Sequence, residues 1–326
     1  MALILTTKTL PAAAAARPAA ECLAAGGLVA FPTETVYGLG ADGTNGEAIA
    51  RLYEAKGRPS FNPLIAHVPT LEAAQHVAIF NETALKLARA FWPGPLTLVL
   101  PKAPGCPVAS LATAGLDTVA VRVPAHPVAL AVLQALGAPI VAPSANRSGH
   151  VSPTTAAHVH HDLNGRIDMI VDGGPVSVGL ESTIVGCIGA PTLLRPGGAA
   201  RADIEAVLGV TLGRIEAAPG HDSPLAPGML ESHYAPKAAV RLAATTLDTN
   251  EALLAFGAPL PGARPERMLN LSSHGDLIEA AANLFGHLRA LDETGARTIA
   301  VMPIPAHGLG EAINDRLRRA AADRPS

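Results

Sequence analysis

The chain is 326 residues long and 49% hydrophobic, enough to bury a sizeable core, which excludes global disorder and predicts about two domains. Its Lys+Arg 24 and Asp+Glu 27 leave a net charge of −3, unlike a protein that coats a nucleic-acid backbone, and no stretch of roughly 18 apolar residues is present to cross a membrane. Three widely spaced cysteines without a CxxC pair, Cys22, Cys106 and Cys187, support neither a disulfide framework nor a zinc ribbon.

The start of the chain has no basic segment ahead of its short apolar run, so a cytoplasmic protein without a secretory signal is expected. A strand is predicted over residues 3–5, then an alanine-rich helix over 12–25 that Gly26 and Gly27 end. Residues 28–31 read as a buried strand broken by Pro32. Gly46–Lys56 reads as a helix with Ile49, Leu52 and Tyr53 on one stripe. Strands follow at 64–68, 96–100, 119–123, 140–142, 169–171 and 182–185, with a possible short one at 193–194. Helices are expected at Leu71–Val77, Glu82–Phe91 and 128–136. This mixture predicts an α/β, or α+β, architecture: a twisted mixed sheet with helical layers.

Residues 213–237 are rich in Pro, Gly and Ser and have no period, so they read as a linker between a first domain, 1–212, and a second, 238–326. The second domain alternates strand 239–243, helix 250–256, strand 268–271, helix 276–291, strand 298–302 and helix Gly310–Ala321. That alternation predicts a small parallel, Rossmann-like sheet.

Several chemistries are missing. There is no Walker A loop, no HExxH and no GxSxG elbow. His158 and Asp162 stand four residues apart, a helical ligand spacing, but the segment reads as a polar helix end on the surface, and no metal ligand is assigned. Gly38-Leu39-Gly40-Ala41-Asp42-Gly43 matches GxGxxG. It lacks an acid about 20 residues on, so a nicotinamide site is a minor alternative and a tight turn the main reading.

A dispersed set of residues carries more. Lys56 and Arg58 flank Gly57 at a helix end, a point charge and a guanidinium fork suited to polyphosphate. A helix C-terminus favours cations anyway. Ser144-Ala145-Asn146 follows a buried strand directly, where α/β proteins bind ligands. Glu181-Ser182-Thr183 precedes another strand, and Arg195 lies downstream. Each alone fits turn chemistry; together they read as a nucleotide pocket lined by loops of one sheet.

These residues carry a resemblance. Phe31-Pro32-Thr33-Glu34-Thr35-Val36-Tyr37-Gly38-Leu39 resembles the signature of the Sua5/YrdC family. Lys56-Gly57-Arg58-Pro59, Pro93-Gly94-Pro95-Leu96-Thr97, Val119 to Pro124, Ser144 to Gly149 and Glu181-Ser182-Thr183-Ile184-Val185 resemble its further motifs, in family order. Pro227-Gly228-Met229 and His233-Tyr234-Ala235-Pro236 resemble the Sua5 interdomain linker, and Ala312 to Leu317 its C-terminal domain. The resemblance implies a YrdC/RibB-like sheet around a positive cavity. It implies an L-threonylcarbamoyladenylate synthase that joins L-threonine, bicarbonate and ATP, releasing pyrophosphate. The product would feed the tRNA threonylcarbamoyl-transferase machinery, which modifies an adenosine in tRNAs reading codons that begin with A.

By the same resemblance, Thr35, His67, Arg122, Ala142 and Ser182 would form the threonine pocket, with Arg122 on the carboxylate. Arg58, Asn62, Thr118, Ser144, Asn146, Ser152, Arg195 and Tyr234 would contact ATP. Lys56 and Arg58 would be catalytic on the phosphates, which Mg²⁺ would bridge. Tyr234 in the linker would serve as part of a lid. One departure stands out: Gly186 occupies a position where the family commonly has an acid. An RNA-binding module in tRNA modification is the rival reading, against which stand the net charge and the scarcity of aromatics.

Overall fold

The computed structural model describes residues 5–214 and 234–322. Most of the expected linker, including Pro227, Gly228, Met229 and His233, lies outside the described residues.

The first sheet begins with β1 (Lys8–Pro11), followed by α1 (Ala16–Ala24), β2 (Val29–Pro32) and β3 (Tyr37–Asp42). Next come α2 (Gly46–Lys56), β4 (Ile65–His67), α3 (Leu71–Val77), α4 (Glu82–Phe91) and β5 (Leu96–Pro101). Then follow β6 (Thr118–Arg122), α5 (Pro127–Leu136), β7 (Ile140–Val141), α6 (Ala156–Leu163) and β8 (Met169–Asp172). The region closes with β9 (Thr183–Gly186), β10 (Thr192–Arg195), α7 (Arg201–Leu208) and β11 (Gly213–Arg214). These eleven strands form one mixed sheet in the order β1-β8-β2-β3-β7-β4-β6-β5-β9-β10-β11.

The alternation of strand side chains explains the layers. Val29 and Phe31 pack with Ala19 and Leu23 of α1 and Val132 and Leu133 of α5. Ala30, on the opposite face, joins the larger core with Ile49, Leu52, Leu87 and Val159. Ile65, Val99, Ala120 and Ile184 form a small apolar floor on one face of the central strands.

The second region contains β12 (Ala239–Arg241), β13 (Ala252–Ala255), β14 (Met268–Asn270), α8 (Leu277–Glu293), β15 (Thr298–Val301) and α9 (Gly310–Ala321). Its sheet, β12-β15-β13-β14, is parallel throughout. The helix expected at 250–256 is instead β13. Ala252–Ala255 is buried on both faces of the sheet, and a short continuous apolar run has no period that separates a central strand from a helix.

The first strand is also displaced: Leu5 is in no strand, and β1 runs over Lys8–Pro11. The glycine motif lies inside β3 from Gly38 to Asp42, and only Gly43 stands in the turn before α2. A Cβ on Gly40 would come within 2.7 Å of the Phe31 ring and 2.9 Å of Ile140, so close packing requires glycine there. Gly38 and Gly40, held mid-strand, cannot make the strand-to-helix turn of a dinucleotide fingerprint.

The two regions pack together through α8. Phe285, Leu284 and Leu288 share a core with Val36, Val151 and Leu180 of the first region. Gly179 has φ +77°, and a Cβ there would stand 2.4 Å from the Ala281 carbonyl oxygen of α8. That approach fixes how closely α8 seats. Asp162 is not on a surface helix end as expected. It is buried and pairs with Arg289 of α8, Oδ2 accepting from Nη2 at 2.9 Å.

Candidate functional site

Strand ends and the loops that follow them surround one cavity, about 580 Å³ of space with its mouth included. Nine of the expected residues line it: Thr35, Arg58, His67, Arg122, Ala142, Ser144, Ser182, Arg195 and Tyr234. Adjacent β4 and β6 set His67 opposite Arg122 in parallel register.

The loop between β2 and β3 is folded by its own side chain. The Thr33 hydroxyl accepts from the Thr35 and Val36 amides at 3.1 and 3.3 Å, a local turn motif. This turn delivers Glu34 and Thr35 to Arg122. Arg122 Nη2 donates to Glu34 Oε1 at 2.5 Å, Nη1 to the Thr35 hydroxyl at 3.0 Å, and Nε to the Gly94 carbonyl at 3.1 Å. Three of five guanidinium protons are thereby taken, which leaves two for a ligand. Burial pushes the Glu34 carboxyl up, but Arg122 and the Ala125 amide hold it below the usual range.

His67 is buried, and its Nδ1 stands 3.1 Å from the Ile65 carbonyl. A carbonyl only accepts, so Nδ1 carries the proton and Nε2 has the lone pair. Burial and the neighbouring Arg122 push the ring down to about 3, so it is neutral at pH 7.

Arg58 leaves α2 through Gly57, which has the left-handed φ of 61°. Its Nη2 donates to the Pro63 carbonyl at 3.1 Å, and burial lowers the guanidinium to about 10. Arg195 donates to the Ser182 carbonyl from Nη2 at 2.8 Å. The Ser182 hydroxyl shares a 2.7 Å hydrogen bond with Thr97.

The remaining five expected residues lie outside the lining. Lys56 is buried, and its ammonium donates to the Ser144 carbonyl at 2.6 Å and to that of Asn146. It therefore pins the Ser144–Asn146 turn from behind, where a phosphate contact was expected. Ser152 donates to Glu181 Oε1 at 2.5 Å. Both amide atoms of Asn62 and Oδ1 of Asn146 are buried without a hydrogen-bond partner among the described residues. Thr118 begins β6, about 13 Å along the strand from Arg122.

Gly186 closes β9 at a similar distance from Ser182, and a Cβ there would meet the Leu194 side chain at 3.4 Å. The missing acid is thus a change at the far end of the strand.

Two residues that the motif reading gave no role belong to the site. Glu181 lines the cavity, and Arg316 of α9 donates to its Oε2 at 2.8 Å. Burial pushes the Glu181 carboxyl up, yet Arg316, Arg195 and Ser152 bring it down to about 2. No local signal links residues 135 apart in sequence. Tyr234 stacks on Phe285 of α8, ring centroids 5.5 Å apart.

A family model described as telomere recombination, for Sua5, YciO and YrdC, matches residues 21–197. The chain belongs to the Sua5/YrdC family. A second model, the threonylcarbamoyl-AMP synthase C-terminal domain, matches residues 199–322. The threonylcarbamoyl-AMP synthase of Bacillus subtilis is 42% identical, over 94% of this chain and 92% of its own. That of Pyrococcus abyssi is 43% identical, over 94% of both chains. A crystal structure of P. abyssi Sua5 complexed with L-threonine superimposes with a TM-score of 0.86 and 40% identity, covering 98% of each chain. Among the described residues of this family member, no helix is long and apolar enough to cross a membrane.

Proposed function

We propose that the chain condenses L-threonine, bicarbonate and ATP to threonylcarbamoyl-AMP and pyrophosphate, in the cytoplasm, for the tRNA-modifying transferase machinery. The observation that carries this reading is electrostatic. Three guanidiniums, the buried Arg122 and Arg195 and the half-buried Arg58, line one cavity, and the two carboxylates near it among the described residues, Glu34 and Glu181, are already engaged. Such a cavity selects an anion.

In this reading Arg122 gives its two remaining donors to the threonine carboxylate, and His67 Nε2 accepts from the amino acid. Concentrated positive charge disfavours the ammonium form of bound threonine. Bicarbonate takes up the ammonium proton and dehydrates to CO₂ and water, and the neutral amine attacks the CO₂ carbon, its nitrogen losing a second proton to solvent as the carbamate forms. The carbamate oxygen attacks the α-phosphorus, and Arg58 and Arg195 stabilise the charge on the departing pyrophosphate. ATP would also supply partners for the orphaned amide atoms of Asn62 and Asn146. Lys56 acts indirectly, by holding the Ser144 turn.

Magnesium would be held through the phosphates of ATP. Among the described residues no cluster of His, Cys, Asp and Glu could hold a metal, and both oxygens of Glu181 are occupied. Among the described residues, then, magnesium would have no protein cage and would depend on the phosphates for its ligands.

Incubation with ATP, L-threonine, bicarbonate and Mg²⁺ tests the reading: pyrophosphate must appear only with threonine. Folded protein that forms neither pyrophosphate nor adenylate rules it out. Tyr234 closes the cavity against α8, so Tyr234→Ala should weaken ATP binding about tenfold. Unchanged affinity by calorimetry would make Tyr234 a packing anchor alone.

A further inference from the structure

We propose that Arg316, from the second region, is a positioning residue for nucleotide binding: it cancels the charge of Glu181 and so preserves the cavity as an anion site. This rests on the ATP-dependent reading above.

Among the described residues lining the cavity, Glu181 is the one acidic side chain. A carboxylate there opposes a polyphosphate unless its charge is cancelled. Its Oε1 accepts from Ser152 and its Oε2 from Arg316 Nε. Arg316 is fully buried. Its Nη1 donates to the Pro196 carbonyl at 3.0 Å, beside Arg195, and to Asp315 at 2.7 Å. Its guanidinium carbon stands 5.3 Å from the centre of the Tyr234 ring. One side chain on α9 thus touches three segments that bound the cavity, at Glu181, Pro196 and Tyr234.

Stability alone is a weak reason for this arrangement. Burying two charges costs about what their attraction returns, and an apolar pair of the same volume often serves as well. A charge role explains the choice. Without Arg316, Glu181 either stands as a bare anion against the phosphates or turns to Arg195 and occupies its fork. Both outcomes weaken ATP and leave Arg122 and His67 untouched.

The test is calorimetric titration of the full chain with ATP and, separately, with L-threonine. Arg316→Gln should weaken ATP binding about 30-fold or more and leave threonine affinity within about twofold. Adding Glu181→Gln should restore most of the ATP affinity, because the charge needing cancellation is gone. If Arg316→Gln does not fold, the double variant alone decides, since it buries no unpaired charge. ATP affinity within about threefold of wild type supports the proposal, and the full loss overturns it. Wild-type protein that does not bind ATP takes down the functional reading and this inference together. ATP-binding wild type with an unaffected Arg316→Gln overturns the inference alone.

Discussion

Arg58→Ala lowers threonine-dependent pyrophosphate release about 1,000-fold and leaves the fold intact. Arg58 sits in the loop after α2, and its partners are the Asn62 and Pro63 carbonyls of that same loop. No strand pairing or ion pair among the described residues depends on it. Its guanidinium, lowered by burial to about 10, is still cationic at pH 7. Phosphoryl-type transfer needs positioned positive charge more than a covalent nucleophile, so removing one of three guanidiniums removes much of the stabilisation. Arg58→Lys should rescue little, because a point charge cannot replace a fork that also bridges two carbonyls. Pyrophosphate release with circular dichroism on the same sample checks both halves. Activity within about tenfold of wild type would remove Arg58 from the chemistry.

What the sequence revealed follows from the range of each interaction. Helices with strong local signals, such as Gly46–Lys56 with its Asn45 cap, were legible to the residue. So were buried central strands flanked by Pro and Gly. β3 was not, because Tyr37–Asp42 contains two glycines, and its glycines are there for the Phe31 ring and Ile140, which only the folded sheet brings close. β1 was misplaced because an exposed edge strand reading Lys-Thr-Leu-Pro has no alternation to detect. α7 was missed: its N-cap is an alanine without a side-chain hydrogen bond, so it lacks a start signal.

The site divides the same way. Motifs placed His67, Arg122 and Ser144 near one another because each ends or follows a strand of one sheet, and Arg58 and Ser182 because they stand in loops that lead into its strands. They misdirected Lys56, since a lysine beside an arginine reads as a second phosphate ligand. The structure turns its ammonium toward two carbonyls. The Glu181–Arg316 and Asp162–Arg289 pairs join distant segments, and charge alone, with 24 basic and 27 acidic residues available, could not have selected them.

The second of these pairs carries the largest expected stability effect. Asp162 on α6 is 7% exposed. Its Oδ1 and Oδ2 accept from Arg289 Nη1 and Nη2 at 3.3 and 2.9 Å, and His150 lies 3.7 Å away. Arg289 also donates to the Val151 carbonyl, so it ties α8 to two segments of the first region. Arg289→Ala leaves a buried carboxylate without its guanidinium, which costs about 3–5 kcal/mol. Urea unfolding at pH 7 reads this directly.

The pH dependence separates charge from packing. Burial pushes the Asp162 carboxyl up, but His150 and Arg289 hold it well below its ordinary 3.8. A depressed folded-state value gives stability that is present above the ordinary value and lost as pH falls below it. In Arg289→Ala the carboxyl loses the lowering that Arg289 supplies and rises, with His150 as its remaining cationic neighbour, so acidification protonates it sooner and relieves the penalty. The gap between wild type and variant should therefore shrink from pH 7 to about pH 4. An equal gap at both pH values would mean that Arg289 contributes by filling space between α6 and α8, and that its charge on Asp162 adds nothing.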